Sequence, residues 1–165
     1  MSAAESDNLE VCRLALNLAR NCGYAVLPCS ANGQLLIPIH NASKLSSTIR
    51  SAWVRTPGPL IGIATGAASG VWVLAISSEA SNWWRVNHSR LLPTRCHQTR
   101  ENGVHCYYRD ARGIASSANR IAPGVNTHGD SDFLVHWFSA GLHCHDHSPP
   151  APWPSWLRDA LGTPA

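Results

Sequence analysis

A chain of 165 residues with 44% hydrophobic content suits one domain with a buried core, expected here as a single unit over 1–165 with its core at about 9–161. The formal net charge is +3, and Lys44 is the one lysine among 13 basic residues; an arginine-rich balance suits phosphate and carboxylate recognition, and equally an ordinary mildly basic domain. No run approaches the eighteen or so apolar residues of a membrane span, Met1 to Asn8 is polar and acidic, and the six cysteines (Cys12, Cys22, Cys29, Cys96, Cys106, Cys144) lack CxxC spacing, which argues against a membrane protein and predicts a cytoplasmic one with reduced thiols.

Ser6 or Asp7 is expected to cap a first helix running to about Asn21, with Val11, Ala15, Leu18, Ala19 and Cys22 as its apolar stripe and Gly23 as its stop. Tyr24 to Leu27 reads as a short strand stopped by Pro28. The Asn32-Gly33 turn leads into Leu35-Leu36-Ile37, a possible hairpin partner, and Asn41 to Ser47 reads as a loop. A second helix begins near Ser46 or Ser47 with Ile49, Ala52 and Trp53 inward, and ends before Pro57. Leu60 to Ala64 and Val71 to Ser77 read as strands joined through Gly66 and Gly70, expected to pair as neighbours in the middle of the sheet. Strand alternation places Ala75 and Ser77 on one face, Leu74 and Ile76 on the other.

Glu79 to Leu92 reads as one helix closed by Pro93, with one of Trp83 and Trp84 capping the sheet edge. Cys96 to Thr99, Val104 to Tyr108, Val125 to His128 and Phe133 to Phe138 are strand candidates separated by turns at Gly103, Gly124 and Gly129. Pro149 to Pro154 reads as a stiff connector before a last helix, Ser155 to Leu161. Helices and strands mix without regular βαβ alternation, which predicts an α+β fold: a largely antiparallel central sheet flanked by helices.

In this order, Ala15 to Pro28, Ile49 to Trp53, Ile61 to Gly66, Ser69 to Leu74, Leu92-Pro93-Thr94, Thr99 with Asn102 to Tyr108, Gly124-Val125-Asn126 and Pro154 to Leu157 resemble the N-terminal domain of bifunctional DNA primase/polymerases, the prim-pol branch of the archaeo-eukaryotic primase superfamily. The resemblance implies a strand ending in two metal-holding aspartates, a third aspartate, and a Gly-Gly-x-His turn whose histidine contacts nucleotide. Here the paired positions are Ala75 and Ser77, the third is Asn126, and the turn is Asn102-Gly103-Val104-His105, so the histidine and the second glycine match and the three aspartates do not. The lysine often found near the second strand has no counterpart in Gln34-Leu35-Leu36.

Two-metal nucleotidyl transfer needs clustered carboxylates, because Mg²⁺ takes hard anionic oxygens and must neutralise the attacking and leaving oxygens. Ala75 has no ligand atom, and Ser77 and Asn126 offer neutral ones, so no catalytic residue and no cofactor is expected. Glu79, Asp130 and Asp132 are the acids that a relocated Mg²⁺ or Mn²⁺ site would use, although strand rise sets Glu79 roughly 7 Å beyond Ser77; otherwise they are surface charges. The implied nucleotide-binding cleft comprises Thr99, Asn102, Gly103, His105 and Asn126. His105 either donates to a phosphate there or is a partly buried histidine satisfied by backbone.

Outside that pattern, His143, His145 and His147 share one side of an extended segment and are weak metal candidates, a solvated polar loop being the plainer reading. Arg100, Arg109, Arg112 and Arg120 are nucleic-acid candidates, with Trp83, Trp84, Tyr107 and Tyr108 as bases' stacking partners or core residues. The expectation is a catalytically inactive prim-pol-like domain that binds single-stranded DNA or nucleotides in replication of a chromosome or mobile element, beside a separate helicase or replication protein and no membrane. The alternatives are an active primase/polymerase using the displaced acids and a non-catalytic scaffold.

Overall fold

The computed structural model describes residues 2–162; Met1 and residues 163–165, which the single-domain expectation includes, lie outside the described residues. Helix α1 (Ala3–Cys22) starts earlier than expected. The Ser2 hydroxyl accepts from Glu5 N at 3.2 Å and the Glu5 carboxylate accepts from Ser2 N at 2.6 Å, a reciprocal cap that satisfies two free amides and supersedes Ser6 and Asp7. Gly23, at φ 71°, closes the helix as expected. Strand β1 (Val26–Cys29) runs through Pro28 rather than stopping there, because it is the edge of a small sheet and that position needs no donor on its open side. The expected Leu35–Ile37 strand reduces to a single bridge between Cys29 and Leu35.

Helix α2 (Ser46–Arg55) buries Ile49 and Trp53. Strands β2 (Leu60–Ala64) and β3 (Trp72–Ile76) follow, and here the sequence-based pairing is corrected. They bridge only at Gly66 and Val71 and then part into different sheets. Long-range partners win over the shared turn: β2 lies between β1 and β8 (Phe133–Val135). β3 lies between β5 (Val104–Arg109) and β7 (Val125–His128). The expected Glu79–Leu92 helix is broken into two short 3-10 turns around α3 (Ser81–Asn87). The Asn87 amide and the His88 ring bond back to the Trp83 and Trp84 carbonyls at 2.9 and 3.0 Å, side-chain contacts that compete with further helix. Both tryptophans pack on the core, so neither is left as an edge cap.

Among the described residues the larger sheet has seven strands, in the order β6–β7–β3–β5–β4–β9 with β10 added beside β5. β4 (Cys96–Gln98) was expected, whereas β6 (Ser117–Ala122), β9 (Cys144–Asp146) and β10 (Ala151–Pro152) were not. The His143–His147 segment is therefore mostly strand pairing with β4, not a solvated loop, and the proline connector adds the one parallel pairing described. Helix α4 (Ser155–Ala160) is the last described element. The fold is α+β with mostly antiparallel sheets flanked by helices.

Alternation along β3 divides two cores. Val71 and Val73, with Tyr107 of β5, pack against α1, α2 and the small sheet. Trp72, Leu74 and Ile76, with Cys106, Tyr108 and Val125, pack under α3 and α4, where Leu157 is fully buried. Ala75 continues the Val71–Val73 face beyond the first core, where the small sheet no longer covers it.

Candidate functional site

β3 is buried along its length and hydrogen-bonded on both sides, so its neighbours are fixed by register. Ala75 stands opposite His105 on β5 and opposite Asn126 on β7, which puts the three side chains in one row on one face. Ser77, just past the strand, keeps the pairing through a 2.8 Å bond from its N to Gly124 O. These residues line a cavity of about 220 Å³ together with Thr99, Arg100, Glu101, His128 and Trp137. Ala75, Ser77, Thr99, His105 and Asn126, named from the sequence, are thus brought together.

Asn102 and Gly103 are not at the cavity; they build the β4–β5 turn that delivers Thr99 and His105. Asn102 adopts a left-handed φ of 60°, and Thr99 Oγ1 accepts from Gly103 N at 2.9 Å. A Cβ on Gly103 would stand 2.5 Å from Ile76 O, so only glycine lets this turn close over the end of β3.

His105 is not satisfied by backbone: its Nδ1 is buried without a partner among the described residues, as is Ser77 Oγ. Burial, with His128 and His97 beside it, pushes the His105 imidazole down to about 3, so at neutral pH it is an uncharged ring able to donate one N–H, not a cation. His128, its ring centroid 6.0 Å from that of His105, is bonded through Nδ1 to Asp132 at 2.8 Å. Asp132 also accepts from Ser116 Oγ at 2.7 Å and Phe133 N at 2.8 Å; burial raises its carboxyl, but the bonds from His128 and Ser116 outweigh that and hold it below the usual range. Sequence reasoning overlooked His128, Glu101 and Trp137. The signal for His128 was present, since alternation along β7 puts it on the Asn126 face.

The donor set does not fit a divalent metal. Ala75 offers nothing, Ser77 offers a neutral hydroxyl, and Asn126 Oδ1 already accepts the Asn119 N–H at 2.9 Å. Of the displaced acids, Glu79 lies against Gly124 outside the cavity, and Asp130 binds Ala67 N at 2.7 Å beneath Gly66. Asp132 serves His128. Glu101 is the single acid lining the cavity, and among the described residues no group of three or more His, Cys, Asp or Glu side chains is arranged to hold a metal ion. The His143 and His145 rings meet at 4.9 Å, but His147 packs instead on Phe138 at 5.8 Å, so the three do not converge.

The arginines separate in the same way. Arg100 lines the cavity, lies 4.5 Å over the Trp137 ring and donates to Ala31 O at 2.7 Å. Arg109 is exposed and paired with Asp110. The Arg112 carbonyl accepts from Arg158 of α4, and Arg120 on β6 approaches Gly162, so both lie toward the C-terminal helix. Tyr107 and Tyr108 are both fully buried, hence core rather than stacking platforms. Among the described residues no helix is long and apolar enough to cross a membrane.

No curated protein matches the chain. The family model described as bifunctional DNA primase/polymerase, N-terminal, matches residues 15–156. With that match over most of its length, the chain belongs to the prim-pol family, the N-terminal domain of bifunctional DNA primase/polymerases.

Proposed function

We propose that this chain is a prim-pol domain that binds nucleotide or single-stranded DNA without nucleotidyl transfer, as an accessory component of replication. The observation that carries the proposal is the row Ala75–His105–Asn126: residues read from the family pattern share one cleft, and the Asn126 amide oxygen, expected at the third metal position, accepts from Asn119. A cavity of about 220 Å³ is smaller than the roughly 300–1,000 Å³ of a whole small-molecule site, so it suits one moiety of a nucleotide, a phosphate or a base, with the rest outside. Arg100 supplies the cation there, and the neutral His105 ring and the His128 ring supply hydrogen bonds. The active alternative requires Asp130 or Asp132 to leave its present partner, or Glu79 to move into the cavity.

The test pairs primer synthesis and extension assays in Mg²⁺ and Mn²⁺ with fluorescence anisotropy on labelled single strands and nucleotides across a salt series. The expected result is saturable, salt-dependent binding without incorporation. Template-dependent incorporation would establish the active alternative, and no saturable binding to either ligand would leave a scaffold.

A further inference from the structure

Cys96 on β4 and Cys106 on β5 are register partners, with their Sγ atoms 3.0 Å apart. The bond from Tyr107 N to Arg95 O makes the adjacent 95/107 pair a hydrogen-bonded one. By alternation, Cys96 and Cys106 form a non-hydrogen-bonded pair, where Cα atoms of an antiparallel ladder approach to about 4.5 Å. That spacing lies inside the roughly 4.4–6.8 Å window of a disulfide, so the ladder already holds the two residues where a bond closes without moving the backbone. Of the other cysteines with a strand register, Cys144 stands opposite His97 and Cys29 opposite Leu60.

Burial would ordinarily make such thiols inert, but both line a cavity of about 270 Å³ on the sheet face opposite the cleft, walled by Trp84, Pro93, Thr94 and His145. Cys96 retains 7% exposure and Cys106 none, so the pair has an outer and an inner member.

We propose that Cys96 and Cys106 are a redox-responsive dithiol that closes to a disulfide on meeting a low-molecular-weight disulfide. Cys96, as thiolate, attacks one sulfur of the oxidant; the S–S bond of the oxidant breaks, and the leaving thiolate takes up the proton that Cys96 released. Cys106 then gives up its proton and attacks Cys96 Sγ in the mixed disulfide, and the second small thiol leaves carrying that proton. Two protein thiols are oxidised by two electrons, and one small disulfide is reduced to two thiols. The order follows from access, and the hydrogen bond with Cys96 together with burial, which push the Cys106 thiol well up, keeps the inner member protonated until the second step.

The bond would staple the base of the β4–β5 hairpin. Thr99, Arg100, Glu101 and His105, which line the cleft on the other face, all lie within the loop so closed. Oxidation therefore restricts the opening of that hairpin.

The experiment treats the native full chain with hydroxyethyl disulfide, alkylates the remaining thiols after denaturation and maps the peptides by mass spectrometry. The expected result is the loss of two of the six alkylatable thiols, a Cys96–Cys106 link reversed by dithiothreitol, and slower amide exchange over Thr99–Gly103. Cys106→Ser should instead trap the small thiol on Cys96. Six alkylatable thiols after a treatment that oxidises the urea-unfolded chain, or a link through Cys144 or a helix cysteine, would overturn the proposal. If Cys106→Ser does not fold, the mapping of the unaltered chain decides alone. No nucleotide or nucleic acid enters the readout, so the outcome is independent of the reading of the cleft.

Discussion

Asn126 Oδ1 accepts the backbone N–H of Asn119 at 2.9 Å, tying the irregular β6 strand to β7 directly beside Ala75. Asn119 needs this support: it holds a left-handed φ of 58°, and its own side chain accepts from Gly124 N at 2.7 Å. Asn126, which the sequence resemblance sets where a metal-holding aspartate is expected, acts here as a structural acceptor in a turn network.

A carboxylate at position 126 would accept the same N–H and keep a second oxygen free. The triple variant Ala75→Asp, Ser77→Asp, Asn126→Asp is therefore expected to fold and to gain Mn²⁺ binding, measured by calorimetry, with a melting temperature that rises on adding metal. Without metal, three carboxylates in one small cavity repel, and the variant should melt below the parent. Asn126→Asp alone should bind no better than the parent. A triple variant with unchanged metal affinity would argue against this placement of the motif.

Two buried histidines, His97 and His136, and the partly buried His105 give the protein an acid limit. Burial is the first cause in each case: His97 is pushed down to about 4, His105 to about 3 and His136 to about 3, with neighbouring histidines adding to it in all three and Arg95 in His97 and His136. A histidine whose folded pKa lies below its ordinary 6.5 takes up its proton more readily when unfolded. Stability is therefore full above about 6.5, falls as pH drops through the window down to about 3–4, and changes by about 1.4 kcal/mol per pH unit for each histidine engaged. Asp132, held below its ordinary 3.8, contributes in the same direction at the lower end. Urea midpoints from about pH 7 to about pH 4 should fall steeply, and His136→Phe should flatten the slope. A midpoint independent of pH across this range would contradict the buried neutral state.

The histidine cluster also shows what the sequence could and could not reveal. Apolar runs marked β2, β3 and β5, and turn residues bounded these strands and β7, so the row Ala75–His105–Asn126 was reachable from motif order. β6, with Ser117, Asn119 and Arg120, and β9, with His145 and Asp146, carry little apolar periodicity, because pairing rather than burial makes them strands. The β2–β3 hairpin was misread for a related reason: Gly66 and Gly70 encode the turn, but whether strands leaving a turn stay paired is decided by partners such as Leu134 and Tyr107, far away in sequence. His136 and His97, stacked edge to face at 4.9 Å, come from segments that no local pattern connects.

Gly103→Ala tests the turn that carries Thr99 and His105. Its added Cβ would meet Ile76 O at 2.5 Å and Thr99 Oγ1 at 3.0 Å, and the first of these is backbone of the central strand, which cannot rotate away. Overpacking of this kind costs about 1–3 kcal/mol, to be read as a lowered urea midpoint with an unchanged slope. Gly70→Ala is a useful contrast, because nothing lies within 4 Å of its added Cβ; its cost is confined to the left-handed φ of 66°.

Arg100 separates a functional cleft from a merely basic surface. It is the arginine that lines the cavity, and its guanidinium is held over Trp137 and by Ala31 O, whereas Arg109 is paired with Asp110 and Arg112 and Arg120 lie toward α4. If single strands bind through the cleft, Arg100→Ala should weaken binding and lower the salt-dependence slope by about 0.7, the contribution of one phosphate contact on a single strand. Arg109→Ala, Arg112→Ala and Arg120→Ala should leave both quantities near the parent values. Anisotropy titrations at several salt concentrations read both. Equal losses from all four substitutions would indicate diffuse electrostatic attraction, because only a localised contact makes one arginine count more than others of equal charge.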